Sequence, residues 1–317
     1  MRILVTGATG VVGRRAVPLM VAAGHEVTAV GRNPARRAAL ERAGAKSVEV
    51  DLLDRAAVAR AVAGQEVVVN LATHIPSSTF RMIFPGAFRE NDRIRRDGSA
   101  IVSAEAAAAG VGRLIQESFA PVYDDGGKRW LDESAPQRPV RYNRTVLDAE
   151  RSAQRFGRSG GEWVVLRFAA FYGPDSIYLH EMLKMARRGW APVPGAADAY
   201  WSSVSHDDAA SSVVAALTAP SGAYNVCDDE PLMRRDLFDA ISRAFALGRL
   251  EPFPPWAARL MGSMGELMAR SERMSNRKLR GLGWAPRYPS AREGLHAAAI
   301  EMGTASAGQA SRPTRAA

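Results

Sequence analysis

The feature that most constrains this chain is Gly7-Ala8-Thr9-Gly10-Val11-Val12-Gly13, a G-x-x-G-x-x-G run directly after the apolar segment Ile3-Leu4-Val5. The first glycine permits a tight turn out of a strand. The second lets a pyrophosphate approach the backbone, and the third lets the following helix pack closely on the strand. The helix opening there offers free N–H groups and a positive dipole end to phosphates. Gly7, Thr9, Gly10, Val11, Val12 and Gly13 are therefore the expected cofactor contacts. A glycine turn without a ligand is the competing reading, and the strand-turn-helix setting argues against it.

The first half of the chain repeats this alternation. Glu26 to Val30, Ser47 to Val50, Val67-Val68-Val69, Leu114-Ile115 and Trp163 to Phe168 read as strands. They are apolar at consecutive positions, as strands covered on both faces are. Val11 to Ala23, Ala35 to Ala43, Arg55 to Ala63, Asp97 to Ala109 and Tyr142 to Phe156 read as helices, with Pro18 kinking or straining the first. The expected fold class is α/β, a doubly wound parallel sheet with a smaller, partly discontinuous C-terminal lobe. The expected division is 1–172 for the dinucleotide-binding domain, 173–302 for the lobe and 303–317 for a disordered tail. Segments near 200–227 are expected to rejoin the first domain, Gly222 to Val226 as a strand.

The residue after the second strand selects the cofactor. A site for NAD usually carries an acid there for the ribose 2′-hydroxyl, whereas arginine suits a 2′-phosphate. The chain reads Val30-Gly31-Arg32-Asn33-Pro34. Arg32 presents a fork to a phosphate monoester, Arg36 and Arg37 lie one turn further, and Arg14 is near. NADP(H) is the expected cofactor, with NAD(H) second.

Composition removes other classes. The net charge is +9, but the basic residues are dispersed, which argues against a nucleic-acid partner. The start of the chain lacks a secretory pattern, no apolar run is long enough to span a bilayer, and Cys227 is alone. The expected setting is cytoplasmic, with no membrane partner. His25, His180, His206 and His296 lack metal-ligand spacing, so no metal is expected. Asp207-Asp208 is expected to cap the helix that follows.

In order and spacing these motifs resemble the extended short-chain dehydrogenase/reductases, the NAD(P)-dependent epimerase/dehydratases, over roughly Met1 to Leu295. The likeness rests on Thr6 to Gly13, Asp51-Leu52, Asn70-Leu71-Ala72, Leu166-Arg167-Phe168 through Gly173-Pro174, His206 to Ala210, Ala223 to Val226, and Gly283-Trp284-Ala285-Pro286. It implies cofactor contacts at Asp51, Leu52, Leu71, Ala72, Thr73 and Phe168, a small-molecule substrate and a possible homodimer.

The resemblance also implies a tyrosine, lysine and serine at the reacting centre. Tyr142 matches the tyrosine, which moves a proton at a carbonyl or alcohol. Val146 stands where the family has lysine, four residues on. Aligning on Val122-Tyr123 puts Phe119 at the serine, with Ser118 one position early. Two readings stay open. One is an NADP(H)-dependent oxidoreductase or epimerase acting on a small carbonyl or hydroxyl compound. In it Tyr142 or Tyr123 is the proton donor, Ser118 is catalytic, and Arg141 or Arg144 supplies positive charge. The other is a non-catalytic NADP(H)-binding or redox-sensing regulatory protein on the same fold. His74 follows the fourth strand, where such sheets bind ligands, so it joins Tyr123 as an expected substrate contact.

Overall fold

The computed structural model describes residues 1–76, 86–141, 143–191, 193–250 and 261–304. Tyr142, Ser77-Ser78, Pro192, the Pro252 to Trp256 run and nearly all of the expected tail lie outside the described residues.

In chain order the elements begin β1 (Arg2–Thr6), α1 (Gly13–Ala22), β2 (Glu26–Val30), α2 (Pro34–Arg42), β3 (Lys46–Val48), α3 (Arg55–Val62) and β4 (Val67–Asn70). Then come α4 (Arg89–Arg93), a π-turn (Ile94–Gly98), α5 (Ser99–Ala108), β5 (Arg113–Phe119), β6 (Trp130–Leu131), α6 (Val146–Arg158), β7 (Glu162–Phe168), β8 (Ala170–Tyr172) and α7 (Ile177–Ala186). The remainder is β9 (Tyr200–Trp201), β10 (Ser203–Ser205), α8 (His206–Ala215), β11 (Gly222–Val226), β12 (Leu232–Met233), α9 (Arg234–Ala244), α10 (Gly262–Ala269), β13 (Arg273–Met274), α11 (Arg277–Arg280) and α12 (Ala291–Glu301).

Seven strands form one sheet in the order β11-β7-β5-β4-β1-β2-β3, and every pair in it is parallel. The consecutive apolar positions now have a cause. Ile3, Val5, Val69, Ile115 and Leu166 pack against Ala16, Val17 and Met20 of α1 and Ala209 and Val213 of α8. Their neighbours Leu4, Val68, Leu114 and Val165 face the other way, onto Val58, Val102, Ala106 and Phe156 of α3, α5 and α6. Both sheet faces are thus dry. A separate cluster, including Leu179, Leu183, Leu237, Ile241 and Leu295, joins α7, α9 and α12 beside β8 and β12.

After β1 the chain moves outward to β2 and β3, then returns to β4 on the other side of β1. This reversal places a switch point between β1 and β4, where sheets of this kind bind ligands outside the carboxyl ends of the strands.

Several local expectations change. Helical backbone begins at Arg89, before the predicted Asp97, and passes through the π-turn into α5. Pro18 sits inside α1, which continues past it. The cap of α8 is Ser205, whose hydroxyl accepts from Asp208 N at 2.9 Å, so Asp207-Asp208 occupy the first turn and do not cap it. The Asp208 carboxylate instead accepts from the backbone N–H of Arg287 at 2.5 Å.

Candidate active site

The glycine turn is held against the loop that leaves β4. Gly7 has φ +65°. A Cβ there would lie 2.5 Å from the Leu71 carbonyl carbon and 2.7 Å from Ala72 N. A Cβ on Gly13 would run into Gly7 O and Ala8. No side chain caps α1, so the end of the helix remains open to an anion. These observations fit a nicotinamide dinucleotide: Gly7 and Gly13 have no room for a side chain, and the helix end faces the turn. Gly7→Ala is expected to cost ~1–2 kcal/mol for its left-handed backbone alone, with the clash on Leu71 added. A thermal melt should show the lower stability, and nucleotide titration the weakened binding.

Below the turn, a buried polar row ties the strand ends together. Thr6 Oγ1 donates to Asn70 Oδ1 at 2.5 Å. Asn70 Nδ2 donates to Gln116 Oε1 at 2.8 Å and to Ser99 Oγ at 3.2 Å. This fixes β1, β4 and β5 in register at the end where a ligand would sit.

Around Gly31 the arginines gather. Arg32 is exposed on the turn after β2. Asn33 caps α2 by accepting from Arg36 N at 3.0 Å, which fixes the start of that helix beside the turn. Arg14 has a lowered pKa, from burial first and then from the positive charges of Arg15 and Arg36. Arg14, Arg15 and His206 converge on Asp175, Arg15 at 3.0 Å and His206 Nδ1 at 2.9 Å. Burial, reinforced by Arg15 and Arg14, pushes the His206 pKa down to about 3, so its ring is neutral.

Other expected contacts divide. Asp51 is exposed after β3 and accepts from Leu53 N at 3.0 Å, with Leu52 half-buried beside it. Thr73 and His74 are partly exposed on the loop after β4. His74 N donates to Asn91 Oδ1 at 3.0 Å, which pins that loop to α4. Phe168 is fully buried, with its ring centroid 5.5 Å from that of Phe171, so the ring packs the core and lines no open cleft.

Ser118 and Tyr123 require correction. Ser118 has no exposed surface, and its hydroxyl donates to Glu150 Oε1 at 2.6 Å. Tyr123 is likewise fully buried. Its hydroxyl donates to Asn225 Oδ1 at 2.6 Å and accepts from Arg167 Nη1 at 2.9 Å. Burial raises the Tyr123 pKa against the opposing pull of Arg167. Arg167 holds Glu150 through two bonds, at 2.9 and 2.8 Å. Burial works against the guanidinium, but Glu150 outweighs it and raises its pKa. Both hydroxyls are therefore engaged inside a buried network and are not offered to a substrate.

Val146 is also fully buried and belongs to the main apolar cluster, so the expected lysine position is walled by hydrocarbon. Arg141 and Arg144 are exposed. The buried arginine at this end of β5 is one that sequence reasoning missed. Arg95, in the π-turn, donates to Glu117 Oε1 at 2.7 Å, while its own Nε and Glu117 Oε2 have no partner among the described residues. Among the described residues no three His, Cys, Asp or Glu side chains are grouped to hold a metal ion, and no helix is long and apolar enough to cross a membrane.

Comparison with known proteins gives this geometry its class. The chain belongs to the NAD(P)H-binding family, whose model matches residues 7–220. A 3-diazoavenalumate denitrifying reductase from a Streptomyces species is 33% identical over 311 residues, covering 93% of this chain and 99% of the relative. The UDP-glucose 4-epimerase of Thermus thermophilus, solved with NAD, shares the fold with a TM-score of 0.75 at 24% identity, covering 95% of this chain and 99% of that one. A human epimerase family protein solved with NADPH superposes with a TM-score of 0.77 at 20% identity, covering 95% and 99%. The chain is thus an NAD(P)H-binding protein by family, and it shares its fold with these NAD- and NADPH-bound epimerase structures.

Proposed function

We propose that this protein is an NADP(H)-dependent reductase of a small molecule, with Tyr142 as the proton donor. The observation that carries the reading is the kinship along nearly the whole chain with a reductase. The substitution of Val146 for lysine supports the same direction. Reduction needs a protonated acid, and an unassisted phenol with pKa ~10 is protonated at neutral pH. Oxidation needs the phenolate, which a nearby lysine would favour. A chain with valine there keeps the acid and gives up the base.

The glycine turn and the α1 N-terminus would hold the pyrophosphate, and Arg32 with Arg36 the 2′-phosphate. When bound, the nicotinamide supplies a hydride. Tyr142 delivers the matching proton to the substrate atom that gains charge. Thr73 and His74, at the switch point, orient the substrate. The substrate is a small carbonyl compound or a comparable hydride acceptor. The relative's name makes diazo compounds part of the screen.

The test is a parallel titration with NADPH and NADH, followed by a turnover screen with the cofactor that binds. NADPH is expected to bind more tightly, and Arg32→Ala to weaken NADPH about tenfold with little change for NADH. Equal binding of both cofactors would overturn the NADP(H) assignment. Cofactor binding without turnover over a broad carbonyl and diazo screen would overturn the reductase reading.

A further inference from the structure

Arg32 does not stand alone in the structure. Its Nη1 donates to Glu90 Oε1 at 3.4 Å, and the other oxygen of Glu90 lies 3.5 Å from His74 Nε2. Arg32 follows β2, and His74 follows β4. In the sheet β1 lies between those two strands, and β1 carries the glycine turn. The chain His74–Glu90–Arg32 therefore spans the strand that opens the phosphate cradle, with a carboxylate at its centre.

Glu90 is not placed there by a loose side chain on a loose segment. Its helix α4 is fastened on both sides. Asn91 holds the loop after β4 through His74 N, and Asp92 accepts from Thr145 Oγ1 at 2.8 Å, just before α6. Asn91 is fully buried, while the side chain of Glu90 is 49% exposed and that of Arg32 65%. The backbone that carries Glu90 is anchored, while its charged end stays half exposed between Arg32 and His74.

We propose that Glu90 is a specificity-determining residue, competing with the 2′-phosphate of NADP(H) for Arg32. This rests on the reading that Arg32 receives that phosphate. A carboxylate and a phosphate monoester seek the same guanidinium donors. NADP(H) must therefore draw Arg32 away from Glu90 on entry. NAD(H) carries only a hydroxyl at that position and leaves the pair undisturbed. Glu90 thus narrows the preference for NADP(H) that Arg32 creates.

The test uses the full chain and direct titration with NADPH and with NADH, so it needs no substrate. The proteins are the wild type, Glu90→Gln, Arg32→Ala and the double variant. Glu90→Gln is expected to tighten NADPH about two- to fivefold, the range of an exposed ion pair, and to leave NADH unchanged. In the Arg32→Ala background the same substitution is expected to give no gain. Unchanged or weaker NADPH binding in Glu90→Gln would overturn the proposal. So would an equal gain for both cofactors, which would place the action of Glu90 on the pyrophosphate they share, or an NADPH gain that survives loss of Arg32, which would mean that Glu90 acts on the 2′-phosphate directly and not through Arg32. If Arg32→Ala erases the NADPH preference while Glu90→Gln does nothing, the cofactor reading stands and this inference alone fails. If the wild type shows no preference and Arg32→Ala changes nothing, both fall.

Discussion

Arg167→Met is expected to destabilise the protein by about 3–5 kcal/mol, the usual cost of leaving one member of a buried ion pair uncompensated. Arg167 and Glu150 are 6% and 4% exposed at the side chain, so water screens neither. The pair joins β7 to α6, and the guanidinium also donates to Tyr123 Oη and to Glu133 O. Removing it strands the Glu150 carboxylate beside Ser118 and takes one of two bonds from the Tyr123 hydroxyl. Urea unfolding at neutral pH measures the loss. Adding Glu150→Gln should recover part of it, because a neutral amide tolerates burial better than an unpaired charge, and the two changes should not be additive. A loss below about 1 kcal/mol for Arg167→Met would mean that water or another cation reaches Glu150.

That network also shows where sequence reading works and where it stops. The alternating strands and helices were legible because each strand is dry on both faces, so Ile3 to Val5 and Val67 to Val69 are apolar throughout. The glycine turn was legible because its backbone conformation leaves few alternatives to glycine. Ser118 was misjudged for a different reason. A buried serine bonded to a glutamate and a serine aimed at a substrate look alike in sequence, and only the partner tells them apart. Arg95 was invisible in Arg93-Ile94-Arg95-Arg96-Asp97, which precedes the helix expected from Asp97. Arg95 lies on the buried face with Asn91, Gly98 and Val102, at ordinary helical spacing, but an arginine there carries no apolar signal to mark that face. Glu90 gave no local signal, because its partners Arg32 and His74 come from loops after different strands.

Tyr142→Phe is expected to lower kcat by about 10²–10⁴, the range of a general acid, while leaving the Kd for NADPH unchanged. In the proposed mechanism the phenol hydroxyl donates a proton and does not hold the cofactor, so the two readouts should separate. With Val146 buried in hydrocarbon at the lysine position, no ammonium from that position depresses the phenol pKa. In the reductive direction a phenol must be protonated to act, so the wild-type rate should hold at neutral pH and fall at alkaline pH as the phenol ionises. A phenylalanine variant that retains turnover would move the proton donor elsewhere. His74 would be the next choice, since it follows β4 at the switch point. His74→Phe would then be the variant expected to lose turnover, with NADPH still bound. The two variants, each read for turnover and for NADPH binding, thus separate phenol from imidazole.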